Sequence, residues 1–161
     1  MANDNENIRG PASPLPLLPS GIYVACAKGW SVKPYTDWGE KIVIEWDVFL
    51  SPDCQTARRL EGYHPIKRDK GGQIYAGSHS GYYKDWVSAN DGRLPDREKR
   101  LTPEIFIGKR LFVDVVIVDR DNRGPLHPSL YHSRVGRVLR PLHDGEIIKG
   151  FPIQERDFKY K

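Results

Sequence analysis

Aromatic and basic side chains are interleaved in the segment that runs from residue 30 to residue 41. The residues concerned are Trp30, Lys33, Tyr35, Trp38 and Lys41. Lysine ammonium groups neutralise phosphates, and an aromatic ring that stacks on a nucleic-acid base contributes about 1–3 kcal/mol. A loop that contacts only solvent gains nothing from carrying several rings. The segment therefore predicts contacts with a single-stranded nucleic acid.

Further cations follow in two later segments. Arg58, Arg59 and Tyr63 lie in a stretch with strand character, whereas Arg120 and Arg123 lie in a long polar loop. Arginine side chains bind phosphates in a sequence-independent way, and the strength of that binding falls with salt. Both segments are therefore expected to extend the contact begun by residues 30–41.

Carboxylates limit the path that such a ligand could take. In the segment KIVIEWDVFL, Glu45 and Asp47 alternate with Ile44 and Trp46, so they occupy the face opposite the apolar side chains. They repel phosphates by the same Coulomb interaction through which lysines attract them. We therefore expect a nucleic acid to avoid the two carboxylates, and we expect Trp46 to lie in the core.

Recognisable catalytic and metal-binding patterns are absent from the sequence. Neither Cys26 nor Cys54 belongs to a close pair of cysteines or histidines with the spacing of a zinc site. The glycine-rich stretches GGQIYAG and GSHSG match neither GxxxxGK[ST] nor GxGxxG. Asp114, Asp119 and Asp121 border a turn sequence, and no lysine completes a nuclease motif. We therefore expect no catalysis, no metal and no cofactor.

Composition and charge are those of a soluble globular domain. The 161 residues carry a formal net charge of +4, which favours an acidic partner such as nucleic acid. No apolar run approaches the roughly 20 residues of a membrane helix, and the polar start MANDNENIRG does not resemble a signal peptide. With only two cysteines in the chain, we expect a reducing, cytoplasmic location without membrane contact.

Side-chain alternation and turn residues divide the chain into strands. Residues 1–20 are rich in proline and are expected to be a flexible lead-in. Strand patterns follow in GIYVACAKGWSV, KIVIEWDVFL and ARRLEGYHPI, and again in GKRLFVDVVIVD and LYHSRVGRVLRPL. Residues 21–142 thus form the predicted domain, and residues 143–161 form a tail for which the pattern predicts no element.

One helix is predicted between the third and fourth strands. Ser80 is a suitable N-cap, and the helix is expected to run to about Asn90. Within it, Tyr82, Trp86 and Ala89 fall at positions i, i+4 and i+7 and form one apolar stripe. We therefore expect the helix to bury this stripe and to close one end of a barrel rather than to hold a ligand.

Three strands, one helix and two further strands follow the order of the OB-fold, a small and partly open Greek-key barrel. Because no helices alternate with the strands, a doubly wound parallel sheet is disfavoured. A β-sandwich and an SH3-like barrel are the alternatives. We expect a mainly β protein, a five-stranded OB-like barrel with one helix between strands three and four. Its ligands lie on strands two and three and on the loops after strands one and four.

Three parts of the chain carry a pattern known from other proteins. They are PSGIYVACAKGWSVKP, YYKDWVSANDGRLPDR, and LTPEIFIGKRLFVDVVIVDRDNRGPL followed by YHSRVGRVL, and they span roughly residues 19–142. In these the chain resembles small OB-fold proteins of phages and plasmids that are related in style to single-stranded-DNA-binding proteins. The resemblance implies an OB barrel, a mobile genetic element as the source, and binding of single-stranded DNA. The chain ends in FKYK rather than in the acidic tail with which bacterial single-stranded-DNA-binding proteins recruit partners, so we expect no such recruitment.

The sequence therefore predicts a non-catalytic protein that binds single-stranded DNA or RNA. The residues expected to bind it are Trp30, Lys33, Tyr35, Trp38, Lys41, Arg58, Arg59, Tyr63, Arg120 and Arg123. The alternative is a protein–protein adapter or inhibitor, or a module that assembles with copies of itself. Such a protein would dock through the apolar residues 15–18 or through the tail GFPIQERDFKYK.

Overall fold

Strands and one helix make up the computed structural model, which describes residues 16–36, 39–96 and 101–160. The strands are β1 (Gly21–Thr36), β2 (Gly39–Phe49), β3 (Ala57–Arg68), β4 (Ile74–Tyr75), β5 (Arg110–Val118), β6 (Arg120–Asp121), β7 (Gly124–Pro125) and β8 (His132–Pro141). The helix α1 spans Gly81–Ala89, and short 3₁₀ turns span Pro103–Phe106, Pro128–Leu130 and Glu155–Asp157. Within these ranges, no helix has the length and apolar character needed to cross a membrane.

The main sheet has the strand order β4-β3-β2-β1-β5-β8, and every neighbouring pair is antiparallel. The short strands β6 and β7 form a separate hairpin. The mainly β class is thus confirmed, and the described residues contain one α-helix, which follows β4 rather than the third strand directly. The five-stranded barrel is not confirmed, because β4 adds a sixth strand and no ladder among the described residues joins β3 to β8. The sheet is open along this seam.

A bulge divides β1 into two halves. Residues 21–26 pair with β5 and residues 25–36 with β2, and the register with β2 shifts between Ala27 and Gly29. A bulge inserts one extra residue, so the side chains that follow it change sides. Before the bulge, Tyr23 and Ala25 point into the inner core, whereas after it Val32 does so.

The inner core is filled by alternate side chains of the sheet. On β2, Ile42, Ile44, Trp46 and Val48 are each 2% exposed or less. The alternation predicts that these four side chains share one face of β2 and that Trp46 lies in the core, and both predictions are confirmed. Burial of a large apolar side chain contributes about 1.5–3 kcal/mol, so this row is a main source of stability.

The helix α1 packs against the inner core. It begins after Ser80, whose side-chain oxygen accepts a hydrogen bond from the backbone N–H of Tyr83 at 3.1 Å. Tyr82, Trp86 and Ala89 are buried among the core side chains. The predicted N-cap and the predicted burial of this stripe are therefore confirmed.

A buried carboxylate connects α1 to both sides of the open seam. Asp85, on α1, is 1% exposed. It accepts hydrogen bonds from the backbone N–H of Val138 on β8 at 3.1 Å and from Arg137 Nε at 3.3 Å. Its second oxygen lies 3.1 Å from Nε2 of His64 on β3. Side-chain contacts through the helix therefore hold β3 and β8 together where backbone pairing is missing.

Residues just before β1 lie at the same seam. Leu18 is buried, its N–H donates to Ser133 Oγ at 2.8 Å, and Ser133 Oγ donates to the carbonyl of Leu18 at 3.0 Å. The carbonyl of Pro16 accepts a hydrogen bond from Arg58 Nη1. The residues 16–18 thus contact the first residues of both β3 and β8.

The C-terminal residues 142–160 lie on the outer side of β1, β5 and β8. Ile153 and Ile22 exchange backbone hydrogen bonds of 2.8 and 3.0 Å. The ring of Phe158 packs on that of Phe112, with centroids 5.0 Å apart, in a second apolar cluster that also includes Val24. This segment is therefore a folded cover on one half of the sheet.

An ion pair between buried Arg140 and half-buried Glu146 holds this segment on the sheet. Arg140, 7% exposed, donates to both carboxylate oxygens of Glu146 at 2.6 and 2.9 Å and to the carbonyl of Lys159 at 2.7 Å. Its guanidinium lies over the rings of Phe112 and Phe158. The hydrogen bond from Arg140 is the main reason that the pKa of Glu146 falls to about 2.

Candidate nucleic-acid interface

The outer side of β1–β3 carries polar side chains that are exposed or half-buried. We call this surface, together with the adjoining Arg134 of β8, the open face. Its charged and aromatic side chains include Lys28, Lys33, Lys41, Glu45, Asp47, Arg59, Glu61 and Tyr63. Strand register sets their order, since Asp47 pairs with Arg59, Glu45 with Glu61, and Lys33 with Lys41. Negative charges are concentrated towards one end of the open face, and lysines with an aromatic ring towards the other.

At the acid-paired end, defined by Lys28, Glu45, Asp47 and Arg59, carboxylates surround the guanidinium. Arg59 Nε donates to Asp47 Oδ1 at 2.7 Å, and Arg59 Nη1 lies 3.2 Å from Glu45 Oε2. Lys28 Nζ is 3.9 Å from the other oxygen of Asp47. The hydrogen bond and the charge of Asp47 raise the pKa of Arg59 above its usual value. A phosphate at this end would compete with carboxylates already in place.

Lys33 lies at the border between the two ends. Its Nζ is 4.0 Å from Glu61 Oε2, and both side chains are more than half exposed. Exposed pairs of this length contribute between nothing and about 1 kcal/mol, because water screens them and the side chains lose freedom. Lys33 can therefore exchange this partner for a phosphate at little cost.

At the aromatic end, defined by Lys33, Lys41, Tyr63 and Arg134, two cations lie against one ring. Lys41 Nζ is 4.6 Å from the ring centroid of Tyr63, and the guanidinium carbon of Arg134 is 5.0 Å from it. Cation–π attraction is worth about 0.5–1 kcal/mol at exposed sites. The ring and its cations thus combine the two functional groups that single-stranded nucleic acids require, a stacking surface and positive charge.

Arg134 is a site residue that the sequence prediction did not include. It lies on β8, which no ladder connects to β3, and contacts Tyr63 across the seam. Its Nε is buried without a hydrogen-bond acceptor, and its guanidinium forms no ion pair with the other described residues. The alternation of YHSRVGRVL could have placed Arg134 on the outer side of β8. No local pattern could have shown which strand lies beside it.

Trp30 lies on the other side of the sheet from the open face. The bulge in β1 puts Trp30 opposite Ile44, whose side chain is in the inner core. Trp30 Nε1 donates to Glu104 Oε1 at 3.0 Å, and the residue is 40% exposed. The structure therefore does not bring Trp30 together with Tyr63.

The remaining candidates are spread around the open face. Arg58 points to the inner side of β3, where it contacts the carbonyl of Pro16. Arg120 and Arg123 are exposed on the hairpin of β6 and β7, which precedes β8 in the chain. Trp38 and the side chain of Tyr35 lie outside the described residues. Of the ten predicted residues, the structure gathers Lys33, Lys41, Arg59 and Tyr63 on one surface.

The cavity beside the C-terminal segment is lined in part by charged side chains that pair with one another. A cavity of about 820 Å³ beside the C-terminal segment is lined by Arg140, His143 and Glu146, among others. These side chains are occupied with one another, since His143 Nδ1 lies 3.5 Å from Glu146 Oε1, the oxygen that Arg140 also contacts. In the part of the chain that the structure describes, no three His, Cys, Asp or Glu side chains gather in a metal-binding group.

The sequence was compared with models of known protein families and with curated proteins. No model of a known protein family matches the chain, and no curated protein matches it significantly. The function therefore has to be inferred from the chemistry of the open face.

Proposed function

We propose that this chain is a non-catalytic protein that binds single-stranded nucleic acid across the aromatic end of the open face. The observation that carries the proposal is the half-buried ring of Tyr63 with Lys41 and Arg134 beside it. A base would stack on the ring in place of a cation, and the displaced cation would bind a neighbouring phosphate. Lys33 would bind a further phosphate in exchange for Glu61.

An OB-type barrel forms part of the proposal. The strand order β3-β2-β1-β5-β8 with a helix between β3 and β5 supports it. So does the approach of β3 to β8 at the open seam, where a Cβ on Gly62 would lie 3.2 Å from the carbonyl oxygen of Val135. In OB-folds the second and third strands hold the ligand, and these strands form the open face here.

A reducing, cytoplasmic location and a mobile genetic element as the source complete the proposal. Cys26 and Cys54 are both free, and Cys26 is buried on β1. Thiols persist in reducing compartments, which supports the location. The source rests on the resemblance alone.

The adapter alternative receives less support from the contacts. Two of the segments that could dock a partner are used within the chain, because Leu18 is buried against β8 and Phe158 against Phe112. Neither side chain is available as an anchor without local unfolding. We therefore keep nucleic-acid binding as the conclusion.

Fluorescence anisotropy of a labelled oligonucleotide tests the proposed function. A single strand of mixed sequence, about 15 nucleotides long, matches the site size of such domains. We expect binding at about 50 mM salt and a linear fall of log K with log salt, with a slope of about −0.7 for each phosphate contacted. A duplex of the same sequence is the control, and it should bind more weakly because its bases are already stacked. Absence of binding to the single strand at low salt would favour the adapter.

A further inference from the structure

Arg134 differs from the other cations of the open face in its surroundings. Arg59 forms ion pairs with Asp47 and Glu45, and Lys33 forms one with Glu61. Among the described residues no carboxylate pairs with Arg134. Its positive charge is therefore the least compensated of these three.

The position of the guanidinium restricts how it can bind an anion. Nε is buried and has no hydrogen-bond acceptor. Neither Nη atom is both buried and without a partner. The guanidinium carbon lies 5.0 Å from the ring centroid of Tyr63. The Nη end can therefore reach an anion above the surface, and the ring limits the orientations that the side chain samples.

We propose that Arg134 binds the phosphate next to the base that stacks on Tyr63, so that the nucleic acid crosses the seam from β3 to β8. This inference rests on the proposed function. The crossing leads away from Glu45 and Asp47, which would repel a backbone laid along β2 and β3. It leads towards the first residue of β8 and the preceding hairpin, where Arg120 and Arg123 are exposed.

Removal of the Arg134 charge is the test. Arg134→Gln should weaken binding of about 15-nucleotide oligo(dT) and oligo(U) roughly tenfold and reduce the salt slope by about 0.7, the value for one lost phosphate contact. Arg134→Met removes the charge but keeps an apolar side chain beside Tyr63, and it should give the same two changes. The two oligonucleotides distinguish DNA from RNA as the source of the phosphates.

Arg156→Gln is the matched control. It removes the same charge from an exposed residue of the C-terminal segment, where Arg156 lies 3.8 Å from Asp157. Its affinity and salt slope should equal those of the wild type. Thermal unfolding of each variant shows whether it is folded.

The outcomes separate the two proposals. If the wild type binds and both Arg134 variants behave like Arg156→Gln, the inference about Arg134 is wrong and the proposed function stands. If the wild type binds neither oligonucleotide at low salt, the proposed function fails and the inference with it. A tenfold loss in both Arg134 variants with an unchanged salt slope would also overturn the inference, since no phosphate contact would have been lost.

Discussion

The outer surface of the sheet is covered in one half and open in the other. Beneath the C-terminal segment it carries the apolar side chains of Ile22, Val24 and Phe112. Over β2 and β3 it carries Tyr63 and charged side chains that are exposed or half-buried. Both halves belong to one continuous sheet, so strand formation alone does not separate them. The difference indicates that the covered half contributes stability, whereas the open half is free to bind a ligand.

The largest effect is expected in the covered half. Phe158→Ala should lower the free energy of unfolding by about 3 kcal/mol, because it removes a buried ring that contacts Phe112. Oligonucleotide affinity should stay unchanged at temperatures where the variant is folded. Urea unfolding measures the first quantity and anisotropy the second.

Ile147→Ala is the control for this prediction. Ile147 belongs to the same segment but is 89% exposed, so its truncation should change the free energy of unfolding by less than about 0.5 kcal/mol. A large loss of oligonucleotide affinity in folded Phe158→Ala protein would contradict the division into two halves.

Lowering the pH should reduce the free energy of unfolding, because Glu146 in the covered half becomes protonated. The pKa of this carboxyl is about 2 in the folded protein and near 4.5 when unpaired, chiefly because Arg140 donates to it. Its contribution to stability is therefore complete above pH 4.5 and is lost as the pH falls towards 2. Because solvent partly screens this carboxylate, we expect a loss of about 1–2 kcal/mol, less than the pKa depression alone would give.

Urea unfolding as a function of pH measures this dependence. The variant Glu146→Gln should be less stable than the wild type at neutral pH and should lack this part of the acid-induced loss. If both proteins lose the same free energy between pH 4.5 and 2, the ion pair with Arg140 does not fasten the cover.

In the open half, Tyr63→Ala should reduce affinity more than stability. Loss of one stacked base costs about 1–3 kcal/mol of binding, which is a loss of about 5-fold to 150-fold. Tyr160→Ala is the matched control, because Tyr160 is a 55% exposed tyrosine in the C-terminal segment rather than on the open face. Equal affinities of the two variants in the anisotropy titration would exclude Tyr63 as the stacking surface.

The smallest effect is expected at the acid-paired end. Arg59→Gln should change affinity by less than about threefold and leave the salt slope unaltered, because Asp47 and Glu45 already neutralise the guanidinium. The same titration provides the measurement. A slope as low as that expected for Arg134→Gln would show that the ligand contacts both ends of the open face.

Local patterns were sufficient to predict the strand interiors and the helix. The alternation on β2 placed Ile44 and Trp46 in the core, and the spacing of Tyr82 and Trp86 predicted the buried stripe of α1. These predictions succeed because each depends on the side-chain period of one element. The C-terminal segment has no such period, so its packing on the sheet was not predicted.

The candidate site was less predictable because its residues come from several strands. Tyr63 was predicted from its own segment, but the pairing of Arg59 with Asp47 required the register of β2 and β3. The bulge in β1 moved Trp30 to the inner side, and alternation alone does not reveal an inserted residue.

The amino-acid sequence by itself determined a mainly β protein with one helix and a buried row on β2. Only the tertiary structure decided that Arg134 lies beside Tyr63 and that residues 142–160 cover one half of the sheet. The physical reason is the range of the interactions. Alternation and capping act between residues close in the chain, whereas the seam between β3 and β8 brings together side chains that are distant in sequence and have no common pattern.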